Sequence, residues 1–494
     1  MTDWNIWLAL PEWILAATVL LVLVQDARTP YDRKAGLSWL SRAGVLFATL
    51  WVVVQWHGIE GKEFAFLGHY GFDTFSAIFK VIFGTTTLFV LTMADAWLKR
   101  VDRGHGEFRI LTLTATLGMF FACSVEDFAG LFVSLELITI SFYCLTAFKR
   151  NDERAVEAGV KYVVLGALAS AFLLLGIAFI YGATGTLWIR DSFFRDLGES
   201  GGALAQFGVL LTLVGLGFKI AAVPFQVWTP DVYEGAASPV TAFLAMGSKA
   251  AGFMLLLKVV RGYLGPGADL ALEPAAAMLG LVALMAAATL LYGNLGAMWQ
   301  GNMKRLLGYS SIGHAGYVLM GVFAFDEAGF TAVIYYLMAY LFTVLGVFTV
   351  IVVVNGVIRS HAIDDYAGLG RRSPFLAFVL TVGLLSLAGV PPLAGFFGKF
   401  LVFKAVVGKG GPIAITLAFV GAAGVVISLY YYLCVVKRLY MHEMEDGMPE
   451  NVPVSGPMRA VLWACLIGMF ALGIFMQPFV VLAEQAARAL IAAG

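Results

Sequence analysis

Long apolar runs with at most one charge, separated by short polar breaks, recur along all 494 residues, as in LFVSLELITISFYCLTAF and LAFVGAAGVVISLYYYLCVV. Such runs have about the length that crosses a ~30 Å hydrocarbon core as a helix. They lack the two-residue alternation of a barrel strand, and only helices or closed barrels satisfy their backbone groups in lipid. The pattern predicts an all-α, polytopic membrane protein with about fourteen transmembrane helices. They fall over 8–25, 36–56, 75–97, 108–124, 126–148, 157–181, 203–222, 237–260, 270–298, 305–324, 329–355, 374–408, 412–437 and 458–483. Connections as short as SVED (124–127) make neighbouring helices antiparallel.

Composition agrees: 60% of residues are hydrophobic and 13% charged, about half the charge of a soluble chain. Zero net charge leaves no basic surface for nucleic acid. Cys123, Cys144, Cys434 and Cys465 are far apart, without metal-site spacing, and are expected to be small buried hydrophobes. The start, MTDWNIWLALPE, lacks a basic n-region, so the first span is expected to be retained as a membrane helix. Alternate loops (26–34, 98–109, 149–154, 304–305, 359–372 and 437–438) carry more than twice the Lys and Arg of the others. By the positive-inside rule they face the cytoplasm, which puts both termini outside.

Two spans should be interrupted. AAVP (221–224) lies in the seventh and AGVP (388–391) in the twelfth, 167 residues apart. Proline removes a donor and clashes with the preceding turn. Breaks at matching places in two halves point to transporter-type repeats whose broken helices carry the site. Five spans separate the breaks, which makes each repeat about five helices.

Few ionisable groups remain at depth: Glu136, Lys161, Lys219, Lys249 and Lys399. A charge at the bilayer centre costs at least ~2.5–3.5 kcal/mol on insertion scales. Snorkelling to a helix end is the alternative. It fits Lys80 and Lys258 near span ends and, to a lesser degree, Lys161 at the start of the sixth span. Lysine has only donors when protonated, so this set does not suit a metal cation. Lysines with one glutamate can pass protons, because burial disfavours the charged amine and a nearby carboxylate favours it. The expected element is a Glu136–Lys219 ion pair influenced by Lys161, followed by Lys249 and Lys399. Ser134, Ser248, Ser310, Ser311 and Tyr309 are candidate holders of bridging waters. His314, half-way down the tenth span, either satisfies interior hydrogen bonds or relays protons between Lys249 and Lys399. No phosphate loop, dinucleotide fingerprint, metal cluster or nucleophile–base pair is evident.

Four stretches, AGVKYVVLGALASAFLLLGIAFIYGATGTL, WTPDVYEGA, KRLLGYSSIGHAGYVLMG and VPPLAGFFGKFLVF, span roughly residues 130–405. Together they resemble the proton-conducting subunit family shared by respiratory complex I and multisubunit cation/proton antiporters. That resemblance implies two inverted five-helix repeats with broken helices 7 and 12. The division is 1–107 (three helices), 108–260 (helices 4–8), 261–440 (helices 9–13) and 441–494 (loop and helix 14). It implies Glu136 and Lys219 as the coupling pair, Lys161 and Lys249 on the path, and Lys399 as the terminal group. It also implies a bacterial inner-membrane location. No cofactor is expected in this chain; FMN, iron–sulfur clusters and quinone are expected in partner subunits. The implied partners are neighbouring membrane subunits and the lipid bilayer. Gln226 and Ala237 depart from the family's frequent histidine and proline. Lysine at 399, where one sibling subunit of the family carries glutamate, points to one subunit type among those siblings, as does an end near 494 without the long lateral helix of the largest sibling.

Three functions compete. A subunit of a redox-driven proton pump needs buried lysines and no redox centre of its own. A cation/proton antiporter subunit needs more buried carboxylates than this interior offers. A scaffold needs none of these charges.

Overall fold

A computed structural model describes residues 5–29, 35–59, 61–101, 104–189, 199–264, 273–443 and 451–492. Parts of the basic loops at 26–34 and 98–109, and the first residues of the span expected at 270, lie outside them. The first half comprises α1 (Leu10–Arg28), α2 (Ala35–His57), a small hairpin of β1 (Glu63–Ala65) and β2 (Tyr70–Phe72), and α3 (Thr74–Leu98). It continues through α4 (His105–Ser124), α5 (Phe128–Thr146), α6 (Glu153–Thr184), α7 (Glu199–Ile220), α8 (Thr229–Gly235) and α9 (Ser238–Phe243). A π-helical turn, Leu244–Ser248, joins α9 to α10 (Lys249–Leu264). The second half has α11 (Glu273–Ala297), α12 (Met303–Ala324), α13 (Glu327–Ile358), α14 (Leu369–Arg372), α15 (Pro374–Ala388) and α16 (Ala394–Lys409). It ends with α17 (Gly411–Met441), α18 (Gly456–Ile474) and α19 (Met476–Ala492).

Among the described residues twelve helices are long and apolar enough to cross a membrane, against the fourteen expected. The span expected at 108–124 lies in α4, whose first turns carry Glu107 and Arg109 and whose middle carries Thr112, Thr114 and Thr116. The span expected at 374–408 is divided between α15 and α16. The last span also differs: helix 458–483 ends at Ile474, Phe475 leaves helical geometry, and α19 starts afresh. WTPDVYEG, expected as a loop, is the helix α8 with most of its side chains buried.

Polar residues start the helices. Asp73 forms a capping box with Ser76 before α3, and Asp127, Asp152, Asn302 and Asp326 each accept backbone N–H groups at the starts of α5, α6, α12 and α13. Such caps satisfy donors that would otherwise be orphaned at a helix end. α10, α12 and α13 form the centre, with 94% or more of their membrane windows buried, whereas α6 and α17 bury about a third or less. Exposed Val163, Leu168, Phe419 and Val426 on those outer helices are what a lipid-facing surface requires. Small residues let helices meet closely where lipid supplies no hydrophobic driving force. A Cβ on Gly293 of α11 would come within 2.2 Å of the Gly313 nitrogen of α12. Cys123 and Cys465 are buried as expected, but Cys144 and Cys434 lie on the exposed faces of α5 and α17. Their surroundings are apolar because lipid, and not protein, covers them.

Both expected breaks are present. α7 stops at Ile220, where Ala221 adopts φ +61°, and α15 stops at Ala388, where Gly389 adopts φ +90°. Each is followed two residues later by a cis X–Pro bond, Val223–Pro224 and Pro391–Pro392. Aligned on the left-handed residue, Ala221 matches Gly389 at a separation of 168 residues, so the structural register is one residue off the AAVP/AGVP match. Glycine suits that conformation, whereas alanine is strained in it.

Candidate functional site

The first break positions Lys219 in the last turn of α7. Its side chain is 3% exposed, and its Nζ donates to Thr139 Oγ1 at 2.8 Å and lies 5.8 Å from the Phe142 ring centre. The direct Glu136–Lys219 ion pair expected from sequence is not formed. Glu136 instead accepts from the Ser170 hydroxyl of α6 at 2.6 Å. Thr139 and Glu136 sit three residues apart on α5, so Lys219 is bonded to a residue about one helical turn, ~4.5 Å along the axis, from the one that carries the carboxylate. Thr139 Oγ1 donates to Leu135 O at 2.7 Å, which leaves only its lone pairs for Lys219.

Lys161 does not join this pair. On the outer face of α6 it binds Glu157 and Asp231, each at 2.7 Å, and is 42% exposed. Asp231 also receives Arg305 Nη1 at 2.7 Å. Burial works to raise the Asp231 carboxyl, but the hydrogen bonds from Lys161 and Arg305 outweigh it and hold the group below its ordinary value. Lysine in the third turn of a helix reaches the polar boundary, and this explains its separation from the membrane interior.

Lys249 follows the π-helical turn at the start of α10, 5% exposed. Its Nζ donates to Ser311 O at 2.5 Å and to the Ser311 hydroxyl, which also meets Tyr233 OH at 3.1 Å. A Cβ on Gly252, one turn beyond Lys249, would sit 3.2 Å from the stem of Lys219, so the two lysines share this stretch of α10. Ser310 bonds to Tyr432 OH of α17. His314, one turn further along α12, contacts Tyr336 OH through Nδ1 at 2.6 Å and Tyr432 OH through Nε2 at 3.3 Å. A cavity of about 10 Å³ lies beside His314, Tyr336 and Ser386, room for about one water.

The second break supplies carbonyls. Lys399, 4% exposed on α16, donates to Leu387 O and Ala388 O at 2.9 Å each, both freed where α15 ends. Those carbonyls lie at the negative end of a helix, which suits an ammonium group. The Tyr317 ring lies 4.7 Å from its Nζ. Lys219 precedes its break and Lys399 follows its own, so the two breaks present their lysines differently.

Lys249, His314 and Lys399 are thus gathered around α12, and Lys219 and Glu136 around α5. The waters expected near five polar residues divide unevenly. Ser310 and Ser311 join the chain, Ser134 binds its own helix at Leu131 O, Ser248 Oγ is buried beside Tyr162 OH, and Tyr309 lies beside Arg305. Sequence reasoning missed Thr139, Ser170, Tyr336 and Tyr432, because hydroxyls inside apolar runs commonly bond their own helix. It also misjudged Lys80. Lys80 is fully buried in a 2.7 Å ion pair with Glu12, and Tyr70 OH joins both side chains. Lys258, expected to snorkel, turns inward to Cys123 O and Val125 O. Glu12 in the first span was the available signal. The KR pair expected in a loop begins α12: Lys304 is buried with Nζ on Ala236 O at 2.6 Å, and lines a cavity of about 680 Å³ at this end. Among the described residues, no group of three or more His, Cys, Asp or Glu side chains is placed to hold a metal ion.

Residues 125–427 match the profile of the NADH:quinone oxidoreductase/Mrp antiporter transmembrane family. NADH-quinone oxidoreductase subunit N of Heliobacterium modesticaldum is 40% identical over 93% of this chain and 94% of its own length. Subunit N 2 of Chloroherpeton thalassium is 37% identical over 97% and 94%. A chain of respiratory complex I from Thermus thermophilus superposes with a TM-score of 0.80 at 32% identity, covering 96% of this chain and 99% of that one. A chain of the Mrp complex from Dietzia shares the fold, with a TM-score of 0.82 at 21% identity over 99% of this chain and 98% of its own. This chain therefore belongs to the NADH:quinone oxidoreductase/Mrp antiporter membrane family, in the branch of the NADH-quinone oxidoreductase N subunits.

Proposed function

We propose that this chain is the proton-translocating N-type membrane subunit of an NADH-quinone oxidoreductase. In this reading, electron transfer in partner subunits drives protons through Glu136, Lys219, Lys249, His314 and Lys399, while Lys161 holds α6 to α8 at the cytoplasmic boundary. FMN, iron–sulfur clusters and quinone belong to those partners. One observation carries it: Lys219, Lys249 and Lys399 are all nearly sealed from the surface and bonded to neutral oxygens. Among the described residues none of these three amines is ion-paired. Buried charge without a counter-charge is expensive and marks a pathway in membrane proteins. Lys249 and Lys399 face hydroxyls, carbonyls and an aromatic ring, so their protons can leave without stranding a carboxylate, and Glu136 lies near Lys219 without bonding it.

Geometry supports a sequence of steps. Lys219 moves between Thr139 and Glu136, one turn apart on the same helix. Protonation of Lys249 is read by Ser311, and the adjacent Ser310–Tyr432–His314 hydroxyl and imidazole contacts extend toward Lys399. Residues 108–260 and 261–440 act as the two repeats in this reading, after three helices in 1–107 and before the terminal segment 441–494. The basic loops face the cytoplasm of a bacterial inner membrane, and the termini face outward. The test is Lys219→Ala in the reconstituted complex. An assembled enzyme with a reduced proton-to-electron ratio supports the proposal, and an unchanged ratio sinks it.

A further inference from the structure

A second charged cleft lies away from the lysine path, on the side that the basic loops assign to the cytoplasm. It measures about 500 Å³ and is lined by Thr92 and Asp95 of the last turns of α3 and by Lys99, which follows that helix. Trp39 and Arg42 of α2 form one wall and Met458 of α18 the other. Trp39 is 72% exposed at its rim. The Arg42 guanidinium lies over the Trp39 ring at 4.8 Å.

Among the described residues that line this cleft, positive charge exceeds negative. Asp95 is shared by two arginines: Arg109 at 2.6 Å, which is buried, and Arg42 at a longer 3.4 Å. Asp95 also accepts the Ser38 hydroxyl. One carboxylate therefore serves two guanidiniums, and Lys99 adds an ammonium at the same rim. Arg42 retains donor capacity, because a guanidinium has five N–H groups and the 3.3 Å contact to Ser38 O and the long Asp95 contact engage two.

A concave site with apolar walls, an interfacial tryptophan and surplus cationic charge at the cytoplasmic boundary has one natural class of occupant. Basic pockets between membrane helices on this side suit anionic lipid head groups, and exposed tryptophan sits at head-group level. We infer that the cleft between α2, α3 and α18 binds an anionic phospholipid of the cytoplasmic leaflet, with Arg42 and Lys99 on the phosphate and an acyl chain against Trp39 and Met458. The Arg109–Asp95 pair is the fixed floor that keeps Arg42 in place. This inference is independent of the lysine path, because none of its residues contacts that path.

The test titrates the intact complex, purified in mild detergent, with photo-crosslinking phosphatidylglycerol, and maps the labelled peptides. Labelling of the α2 and α18 segments is expected, competed by unlabelled phosphatidylglycerol but not by phosphatidylcholine or inorganic phosphate. The Arg42→Gln/Lys99→Gln double variant, which leaves Arg109–Asp95 intact, should need roughly 30-fold more lipid for half-labelling, since each basic group near the surface contributes about fivefold. Trp39→Ala should weaken labelling while leaving the preference for anionic lipid. Equal labelling by a phosphatidylcholine probe, displacement by millimolar inorganic phosphate, or an unchanged titration in the double variant overturns the inference. Labelling blocked by a neighbouring subunit that crosslinks to Trp39→Cys also overturns it.

Discussion

Thr139 holds Lys219 away from Glu136, and its replacement by valine, nearly the same shape, tests that arrangement. The Thr139 hydroxyl gives its proton to Leu135 O and its lone pair to Lys219 Nζ at 2.8 Å. Valine removes that acceptor and leaves the buried amine to seek another. A hydrogen bond to a charged group is worth about 1.5–3 kcal/mol, and 1.4 kcal/mol is tenfold in an equilibrium. The balance between the Thr139-bound and Glu136-bound positions should therefore move by about one to two orders of magnitude toward Glu136. Thr139→Val should assemble normally yet show initial proton uptake slowed on the order of tenfold. Thr139→Ser, which restores the acceptor, should return most of the rate. Dye-quench measurements of proton uptake in inside-out vesicles, run alongside NADH oxidation, read both quantities. Wild-type proton uptake in Thr139→Val would refute the reasoning, and so would equal impairment in Thr139→Ser.

Three further outcomes follow from the geometry. Glu12→Gln strands the fully buried Lys80 and should destabilise the packing of the first turns of α1 and α3 and the hairpin by about 3–5 kcal/mol; Glu12→Gln/Lys80→Met should recover most of it in thermal unfolding of the detergent-solubilised complex. His314→Gln keeps a polar side chain between Tyr336 and Tyr432 but cannot relay a proton; a fall of about 10²-fold in proton transfer with normal assembly indicates a relay, while near wild-type transfer leaves His314 a packing residue. Asp231 has its carboxyl held below the ordinary range, so its stabilisation is fully present above the unfolded value of about 3.9 and is lost as pH falls through the folded value. Hydrogen-exchange protection of 229–235, measured against the intrinsic rate at each pH, should accordingly be unchanged from pH 8 to about 5, and protection already lost between pH 7 and 6 would contradict the Lys161–Asp231–Arg305 cluster.

Helix content and the two breaks were legible because lipid imposes long uncharged runs and because proline at 224 and 391 cannot continue a helix. Lys219, Lys249 and Lys399 stood out for a related reason: an ammonium in an apolar run is costly wherever the fold puts it. Partners were not legible. Glu136 and Lys219 lie near each other, but which acceptor Lys219 takes depends on side-chain placement across α5, and no spacing rule distinguishes Thr139 from Glu136 three residues away. Lys161 was expected to influence Lys219, and its bonds to Glu157 and Asp231 instead depend on α6 beginning at Glu153, several residues before the apolar run, and on α8 folding as a helix beside it. Lys80 was discounted by its nearness to a span end, although Glu12 in the first span is its buried partner. The division of the last span at Phe475 was passed over although Gly473 and Pro478 flank it, because the apolar run continues unbroken across them.

Protons passing through the neutral-bonded lysines is the central claim, and Lys249 is where it is most exposed. Lys249→Met keeps the length and apolar packing of the side chain and removes only the titrating amine. In the reconstituted complex, the ratio of protons moved to NADH oxidised should fall, with subunit content and quinone reduction by the uncoupled enzyme retained. A ratio equal to wild type, in a complex assembled to wild-type level, would contradict it.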